Sequence, residues 1–347
     1  MSDISIIDSN FKVDTNLNVE DIQFYNALNF PFYIHGVFYE NGIFRRMPQQ
    51  VAEKVSEGVY RLHEHTAGGR VRFKTDSPYI AIHTNMPKIH KMPHFALTGS
   101  AGFDLYADGR HINTFRPSLT AKDGYEGIIR FDSKKMREIT INFPLYSPLK
   151  ELFIGIQSQS ELCAPKPYRI EKPIVYYGSS ITQGGCASRP GMSYQSIISR
   201  RIDADYINLG FSGNAKAEDE IADYISGLEM SCFVYDYDHN APTLEHLKNT
   251  HEKMFIRIRQ NNPDIPIILM SRPKYQLTSE EELRLEVVKT TYNNAISGGD
   301  KNVYFIDGRE LMELAKNDGA VDHCHPNDFG FASMAKRVGD LLEKILK

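Results

Sequence analysis

The amino-acid sequence predicts a chain of two domains, an all-β sandwich over residues 1–168 followed by an α/β domain with a parallel sheet over residues 169–347. The length of 347 residues exceeds what a single small core requires. The first half reads as short strands separated by turn residues, whereas the second half alternates apolar strands with helices. A segment with three prolines, residues 161–173, separates the two patterns and is where we place the domain boundary.

The region from about Phe32 to Gln157 has the composition of short β-strands broken by glycine-containing turns. Apolar residues recur at every second position in several segments, as strands with one buried face require. No long amphipathic helix is expected between them. This spacing predicts a sandwich, and the form that we expect is a jelly roll. The predicted strands include Val71–Phe73, Tyr79–His83, Gly102–Tyr106, Gly127–Phe131 and Glu138–Phe143.

After residue 173 the pattern changes to apolar strands that alternate with helical segments. Such alternation is typical of a parallel sheet covered by helices on its faces. The predicted strands are Ile174–Tyr177, Tyr206–Leu209, Cys232–Tyr237, Ile265–Met270 and Val303–Ile306. The predicted helices are Ser193–Ile202, Ala217–Ile225, Leu244–Asn261, Ser279–Ala295 and the C-terminal Phe331–Lys347.

Composition and charge exclude several classes of function. Hydrophobic residues make up 41% of the chain and charged residues 24%, as in an ordinary globular protein. With 40 Lys and Arg against 44 Asp and Glu, the net charge is −4, so we expect neither nucleic acid nor a membrane as a partner. The four cysteines form no CxxC pair, which argues against a zinc ribbon and a thioredoxin-type site, and four cysteines in a chain of this length do not make a disulfide framework.

The N-terminus lacks a basic segment followed by an apolar one, and no apolar run reaches the roughly 18 residues that cross a bilayer. We therefore expect a cytoplasmic location, or a periplasmic or secreted one if a leader segment has been removed.

Glycines and small polar residues follow the predicted strands of the second half. Ligands bind at the carboxyl ends of parallel strands, so these segments should converge on one edge although they are distant in sequence. They are Gly178–Gly185, Gly210–Asn214, Asp238–Pro242 and, after the last strand, Asp307–Arg309 and Asp322–Pro326.

Three residues in these segments form a candidate catalytic set. Ser180 lies in a turn between a strand and a helix, where its hydroxyl can be exposed, but a serine needs a base to become a nucleophile. His325 is the candidate base because imidazole titrates near neutral pH. Asp322 precedes His325 by three residues and can orient the ring, and Pro326 keeps His325 on a loop.

The tetrahedral intermediate of acyl transfer also needs hydrogen-bond donors for its oxyanion. The candidates are the backbone N–H of Ser180, the backbone N–H of Gly213 and the side-chain amide of Asn240, which follow three different strands. Glycine suits its position because no Cβ blocks a close approach. Together with the catalytic set, these donors predict nucleophilic serine chemistry.

These residues resemble the sequence blocks of the SGNH, or GDSL-type, esterase and acylhydrolase superfamily. Each block alone is a weak signal, but four in the right order are a strong one. The matching segments are Gly178-Ser179-Ser180-Ile181-Thr182, Gly210–Asn214 with Gly213 at the oxyanion glycine, Asp238–Asn240 with Asn240 at the oxyanion asparagine, and Asp322–Pro326 as the DxxHP block. In addition, Gly102-Phe103-Asp104-Leu105-Tyr106 matches the GxDLY signature of an N-terminal β-domain.

The resemblance implies a flavodoxin-like three-layer domain without metal or cofactor. Two-domain members of this build resemble carbohydrate esterases that remove acetyl groups from glycans. The sequence departs from the family pattern at two places. Ser179 stands where many members have Asp, and Tyr237–Asn240 replaces the usual Gly-x-Asn-Asp.

Other interpretations of the same residues are weaker. The segment Gly178–Gly185 lacks the lysine of a phosphate-binding loop and the spacing of a dinucleotide-binding loop. Residues 322–325 are all ligand types, but adjacent residues cannot all converge on one ion. Cys186 and Cys324 lack the turn context of a nucleophile. His323, one residue from Asp322, is a poorer base than His325, and His83, His90 and His94 are expected to be loop or rim residues.

The sequence thus predicts a serine esterase that hydrolyses short-chain esters, acetyl esters above all, on a small-molecule or glycan substrate. Two alternatives remain open. One is a lipase, thioesterase or lysophospholipase of the same superfamily, which the lack of a broad apolar lid segment disfavours. The other is a carbohydrate-binding protein with a vestigial esterase domain, against which the presence of Ser180, Asp322 and His325 argues.

Overall fold

The computed structural model describes residues 13–346. Its first half contains short antiparallel strands, as the alternating pattern predicts. They are β1 (Ile22–Asn26), β2 (Tyr33–His35), β3 (Phe38–Glu40), β4 (Ile43–Arg45), β5 (Arg70–Thr75), β6 (Tyr79–Asn85), β7 (Phe103–Ala107), β8 (Arg110–Phe115), β9 (Gly124–Arg130), β10 (Arg137–Asn142), β11 (Glu151–Gln157) and β12 (Leu162–Cys163).

Two sheets form from these strands. One has the order β1-β11-β6-β9 and the other the order β12-β5-β10-β7-β8, with β2 also paired to β5 and with β3 and β4 as a separate hairpin. Ile80 and Ile82 of the first sheet share one buried core with Ile139 and Ile141 of the second. This period-two alternation confirms the predicted antiparallel β-rich half.

Three short helices between residues 13 and 168 were not expected from the sequence: α1 (Gln49–Val55), α2 (Glu57–Leu62) and α3 (Leu97–Ser100). They are too short to show a helical period. Ala52 of α1 and Val59 of α2 pack in the same core as Val175 and Phe233 of the second half. The first half therefore contributes to the core of the second, and the boundary at residue 168 stays a prediction.

The second half alternates strands and helices as expected. Its strands are β13 (Ile170–Gly178), β14 (Ala204–Gly210), β15 (Cys232–Asp236), β16 (Ile267–Met270) and β17 (Val303–Ile306). Its helices are α4 (Ser180–Gln183), α5 (Tyr194–Ile202), α6 (Asp219–Ser226), α7 (Leu244–Asn261), α8 (Ser279–Ser297), α9 (Gly308–Leu311) and α10 (Asp328–Ile345), with 3₁₀ turns at Pro190–Met192, Asp238–Asn240 and Lys316–Gly319.

The five strands form one parallel sheet in the order β14-β13-β15-β16-β17. Val175 and Tyr177 of β13 pack with the core that includes α6, α7 and α8. Ile174 and Tyr176 pack on the opposite face with the core that includes α5 and α10. These three layers confirm the predicted α/β class.

Side-chain caps fix where two of the helices begin. At α8 the Thr278 hydroxyl accepts from the Glu281 N–H, and the Glu281 carboxylate accepts from the Thr278 N–H. At α10 the Asn327 side chain accepts from the N–H groups of Phe329 and Gly330. The second cap places the start of α10 three residues after His325.

The acid of the GxDLY signature joins the two halves. Asp104 is buried, and its Oδ2 accepts from the Arg189 guanidinium and from the Gly191 N–H, both at 2.8 Å. Its Oδ1 accepts from the Asn142 side chain at 2.8 Å. A charged acceptor with three donors forms strong hydrogen bonds, so this aspartate anchors the second half to the β-rich half.

Among the described residues, no helix combines the length and the apolar character that crossing a bilayer would need.

Candidate active site

Ser180 is the first residue of α4, directly after β13. The Ser179 hydroxyl caps this helix by accepting from the Ile181 N–H at 3.1 Å. The turn is tight, because a Cβ built on Gly178 would lie 2.0 Å from the Asp236 carbonyl oxygen. Ser180 remains 9% exposed in these crowded surroundings. The structure therefore presents its hydroxyl at the carboxyl end of the sheet, where the sequence predicts it.

The structure brings Ser180, His325 and Asp322 together in one series of hydrogen bonds. The Ser180 Oγ lies 3.0 Å from His325 Nε2. The other ring nitrogen, Nδ1, lies 2.9 Å from Asp322 Oδ2. A neutral imidazole that donates from Nδ1 to Asp322 has an unprotonated Nε2, which can accept the serine proton. This geometry is what nucleophilic serine chemistry requires.

The loop that carries Asp322 and His325 is held by its own backbone. Asp322 Oδ1 accepts from the N–H of His325 at 2.7 Å and from the N–H of Cys324 at 3.2 Å. His323 adopts a positive φ of 61°, an unusual conformation for a residue with a Cβ. This reversal separates His323 from the catalytic set and lets the loop close on Asp322.

The titratable side chains of this loop shift one another's pKa values. Burial alone would raise the pKa of Asp322, but hydrogen bonds from the backbone and side chain of His325 lower it to about 2. The pKa of His325 is raised to about 9, first by the neighbouring Cys324 sulfur and then, against burial, by Asp322. Burial would raise the pKa of Cys324, but His239 and His325 lower it to about 6. Asp322 is therefore ionised at neutral pH, and the imidazolium form of His325 is stabilised.

Gly213 and Asn240 also meet at this edge of the sheet. With the Asn240 amide oriented to satisfy its neighbours, its oxygen accepts from the N–H of Gly213 at 2.8 Å and of Asn214 at 3.2 Å. Gly213 has a positive φ of 71° and open space where a Cβ would be. A carbonyl oxygen could use the Gly213 N–H and the Asn240 amide together only if the amide turns its NH₂ group towards it.

A buried ion pair fixes the turn that carries Asn240. Asp238, which lies two residues before Asn240, accepts from Arg284 Nε at 2.9 Å and from the Arg272 N–H at 3.1 Å. Arg284 also donates to the Ala241 carbonyl oxygen at 2.9 Å. The segment that departs from the family pattern is thus anchored to α8 through its aspartate.

Gln183, on the same short helix as Ser180, joins the Gly213 loop to the first half of the chain, a contact that sequence reasoning missed. Its Oε1 accepts from the Ser212 N–H at 3.0 Å. Its Nε2 donates to His65 Nδ1 at 3.0 Å and to the Leu145 carbonyl oxygen at 3.1 Å. Burial lowers the pKa of His65 well below its usual value, so this ring is neutral and can accept. Gln183 stands in the first sequence block, but nothing local in the sequence indicates its partners.

Two further residues of the first half reach the site. The Tyr146 hydroxyl donates to the Ser180 carbonyl oxygen at 3.2 Å. Arg46 is buried, and its guanidinium donates to the Gly210 and Asn208 carbonyl oxygens, at the end of β14. The β-rich half therefore supports both the nucleophile and the loop that carries Gly213.

One group of side chains near Ser180 could bind a soft divalent cation. Ligand atoms of His94, Cys186 and His325 lie within 4.8 Å of one another. Histidine nitrogen and cysteine sulfur are ligands that Zn²⁺ prefers. His94 lies on an exposed loop of the first half with its ring centre 5.8 Å from that of His325, so this rim residue belongs to the candidate site.

The sequence of the second half decides the family. Residues 171–347 match the model of the GDSL-like lipase/acylhydrolase family. The chain belongs to this family. Residues 22–162 match a second model, which describes the N-terminus of SGNH-hydrolase-type esterases. Both parts of the resemblance inferred from the sequence blocks are thereby confirmed. No curated protein sequence matches the GDSL-like chain.

Solved structures resemble nearly the whole GDSL-like chain. A crystal structure described as a GDSL-like lipase from Bacteroides ovatus is 28% identical, with a TM-score of 0.83 over 94% of this chain and 98% of its own. The salicylyl-acyltransferase of a tetracycline biosynthetic pathway is 20% identical, with a TM-score of 0.75 over 95% and 99%. An acetyl xylan esterase from Butyrivibrio proteoclasticus is 13% identical, with a TM-score of 0.62 over 94% and 98%. The last two likenesses show the fold.

Proposed function

We propose that this protein is a serine esterase that removes short acyl groups, acetyl above all, from hydroxyls of carbohydrates. The observation that carries the proposal is the series of hydrogen bonds from Ser180 through His325 to Asp322 beside Gly213. Membership of the GDSL-like acylhydrolase family supports ester chemistry, and the fold shared with an acetyl xylan esterase supports the acetylated glycan.

The first half-reaction is acylation of Ser180. Its oxygen attacks the ester carbonyl carbon while His325 Nε2 takes the hydroxyl proton, and the carbonyl π electrons move to the oxygen. Asp322 stabilises the imidazolium that forms. The backbone N–H groups of Ser180 and Gly213 and the Asn240 amide, once its NH₂ group has turned towards the carbonyl, bind the oxyanion. Its collapse breaks the bond to the alcohol, which leaves with the proton from His325.

The second half-reaction is deacylation, which regenerates the free enzyme. A water molecule gives a proton to His325 Nε2 and attacks the acyl carbon. The second tetrahedral intermediate collapses, the bond to Ser180 breaks, and His325 returns the proton to the serine oxygen. The products are the carboxylic acid and the free enzyme, so no cofactor or co-reactant beyond water is needed.

The surroundings of Ser180 support a short acyl group. Gly184 and Gly185 follow α4, and Gly213 offers open space at the point where the carbonyl would enter. A pocket for a long acyl chain gains about 0.8 kcal/mol for each buried CH₂, which requires an extended apolar surface. Val321 and Phe329 are exposed apolar residues flanking the Asp322 loop, and they favour the second candidate, a longer-chain acylhydrolase.

Activity on a series of p-nitrophenyl esters and on acetylated oligosaccharides separates the two candidates. The acetylesterase hypothesis predicts that kcat/KM falls from the C2 to the C8 ester and that acetylated oligosaccharides release acetate. The Ser180→Ala variant should fold normally and lose activity by a factor on the order of 10³ or more. Ser158→Ala, which changes an exposed serine of the β-rich half, is the matched control.

A rise of kcat/KM from the C2 to the C8 ester would replace the acetyl assignment by the longer-chain candidate. Activity close to wild type in Ser180→Ala would contradict the serine mechanism altogether.

A further inference from the structure

A cavity of about 300 Å³ lies between the two halves of the molecule, and none of the proposed catalytic residues lines it. Its walls come from strands β5 and β10, from the connecting segment at Lys166–Tyr168 and from helix α5. This volume is at the lower end of the range for sites that bind small molecules, about 300 to 1,000 Å³.

Arg72 lines this cavity with a charge that forms no ion pair with any of the described residues. The residue is only 9% exposed, and its guanidinium makes no hydrogen bond or ion pair within residues 13–346. Its Nη1 atom is completely buried without a partner. The guanidinium lies over the Tyr168 ring, with its central carbon 3.9 Å from the ring centre. Because a buried unpaired charge is costly, an anion beside Arg72 would relieve that cost.

A second cation on the opposite wall has the same arrangement. The Arg200 guanidinium carbon lies 4.3 Å from the centre of the Tyr106 ring, and no ion pair involves Arg200 in the described part of the chain. Stacking on an aromatic face leaves the planar edge of a guanidinium free for a carboxylate or a phosphate. Arg70, by contrast, is already neutralised by Asp205.

The cavity also presents an unpartnered acceptor. Glu138 lies on β10 next to the strand that carries Arg72, and its Oε1 is buried without a hydrogen bond, while Oε2 accepts from the Lys166 N–H at 3.3 Å. Asp108 and Asp203, the other acids of the lining, are exposed at the rim. An occupant that satisfies both Arg72 and Glu138 therefore carries an anionic group and a hydrogen-bond donor, and a sugar anion supplies the donor as a hydroxyl.

We propose that this cavity binds a monosaccharide-sized anion, a sugar acid or a sugar phosphate. Its carboxylate or phosphate pairs with Arg72 and Arg200, and one of its hydroxyls donates to Glu138 Oε1. The site joins residues of both halves, and the inference does not depend on the proposed esterase activity.

Calorimetric titration of the full chain with D-glucuronate, glucose 6-phosphate, inorganic phosphate and glucose tests this assignment. We expect saturable binding of glucuronate or glucose 6-phosphate, weaker binding of inorganic phosphate and none of neutral glucose. Whichever of the two sugar anions binds more tightly identifies the anionic group. Binding should also raise the melting temperature, and the rise should continue with the logarithm of the ligand concentration above the Kd.

Arg72→Gln and Arg200→Gln should each weaken binding by about tenfold or more, since each removes a charge-assisted contact. Arg116→Gln, an exposed arginine outside the cavity, is the control and should bind as wild type. Arg200 is only half-buried, so its variant provides the test even if Arg72→Gln does not fold.

Three results would overturn the proposal. They are no saturable binding of either sugar anion by wild type, undiminished binding in both arginine variants, and equal affinity for inorganic phosphate and the sugar anions.

Discussion

The two sides of the candidate site differ in what holds them. On the acid–base side, Asp322 is held by hydrogen bonds to the backbone of its own short loop, and its side chain is 39% exposed. On the side of the candidate nucleophile, Ser180 is buried, and hydrogen bonds of Gln183, Tyr146 and Arg46 tie it and the Gly213 loop to the first half of the chain.

Because the two sides are held differently, substitutions on each side should affect a different property of the proposed reaction. Substitutions in the Asp322 loop should change proton transfer, because the loop fixes the charge and orientation of His325. Substitutions at the contact with the first half should change the position of Ser180 relative to the oxyanion donors and leave the titration of His325 unchanged. The pH dependence of kcat/KM therefore distinguishes the two sides.

The largest effect in this comparison is expected for Asp322→Asn. Loss of the carboxylate removes the group that orients His325 and stabilises its charged form, so kcat should fall by roughly 10² to 10⁴. The midpoint of the pH profile should move to lower pH, because Asp322 raises the pKa of His325. Steady-state kinetics between pH 5 and pH 10 measure both changes.

Asp318→Asn is the control for this substitution, since Asp318 is an exposed residue of the same region. An Asp322→Asn enzyme with wild-type kcat would show that the loop does not act in catalysis.

Gln183→Leu should affect the other side of the site. The substitution leaves the Ser212 N–H and His65 without their partner, so Ser180 and the oxyanion loop should lose their alignment. We expect kcat to fall roughly tenfold to a hundredfold, because small displacements of reacting groups lower the rate by such factors. The pH midpoint should stay at the wild-type value. A shift of that midpoint would contradict the separation of the two sides.

Gln157→Leu, which removes a glutamine of the β-rich half that bonds Asp21, is the matched control. Melting temperatures of both variants separate a general loss of stability from the expected loss of kcat.

A smaller effect is expected for Cys324→Ser. His325 accepts the serine proton only when neutral, so kcat/KM should rise with pH through the pKa of His325, about 9 in the wild type. The Cys324 sulfur is the largest contributor to that raised pKa, so its removal should move the midpoint to lower pH. The plateau rate should change little.

Cys163→Ser, at the far end of the β-rich half, should leave the profile unchanged. A midpoint that rises in Cys324→Ser would show that the sulfur does not stabilise the imidazolium.

The smallest effect is expected for metal removal. Ser180, His325 and Asp322 suffice for the proposed chemistry, so treatment with EDTA should leave the rate unchanged. Loss of activity that Zn²⁺ restores would instead make His94, Cys186 and His325 a metal centre. Substitution of His94 by alanine would then abolish the restoration.

The two sides of the site also differ in how much of them could be predicted from the sequence. The meeting of Ser180, Asp322 and His325 at one edge of the sheet could be predicted, because a strand-to-helix turn and a three-residue spacing are local signals. The helices α1 and α2 could not, since six or seven residues are too few to show a period.

The role of Gln183 could not be predicted either, because its hydrogen-bond partners are distant in the sequence. His65 is separated from it by 118 residues and Leu145 by 38. Only the fold places these residues around the turn after β13. The self-contained acid–base loop was therefore open to sequence reasoning, whereas the support of the nucleophile was not.

Covalent labelling with diethyl p-nitrophenyl phosphate directly tests whether Ser180 is the nucleophile. The reagent phosphorylates an activated serine, and mass spectrometry of the digested protein locates the adduct. We expect one adduct per chain, on Ser180 and not on the neighbouring Ser179. We also expect no adduct in Ser180→Ala and slower labelling in Asp322→Asn. An adduct on Cys186 or Cys324, or ester hydrolysis that continues after labelling with Ser180 unmodified, would contradict it.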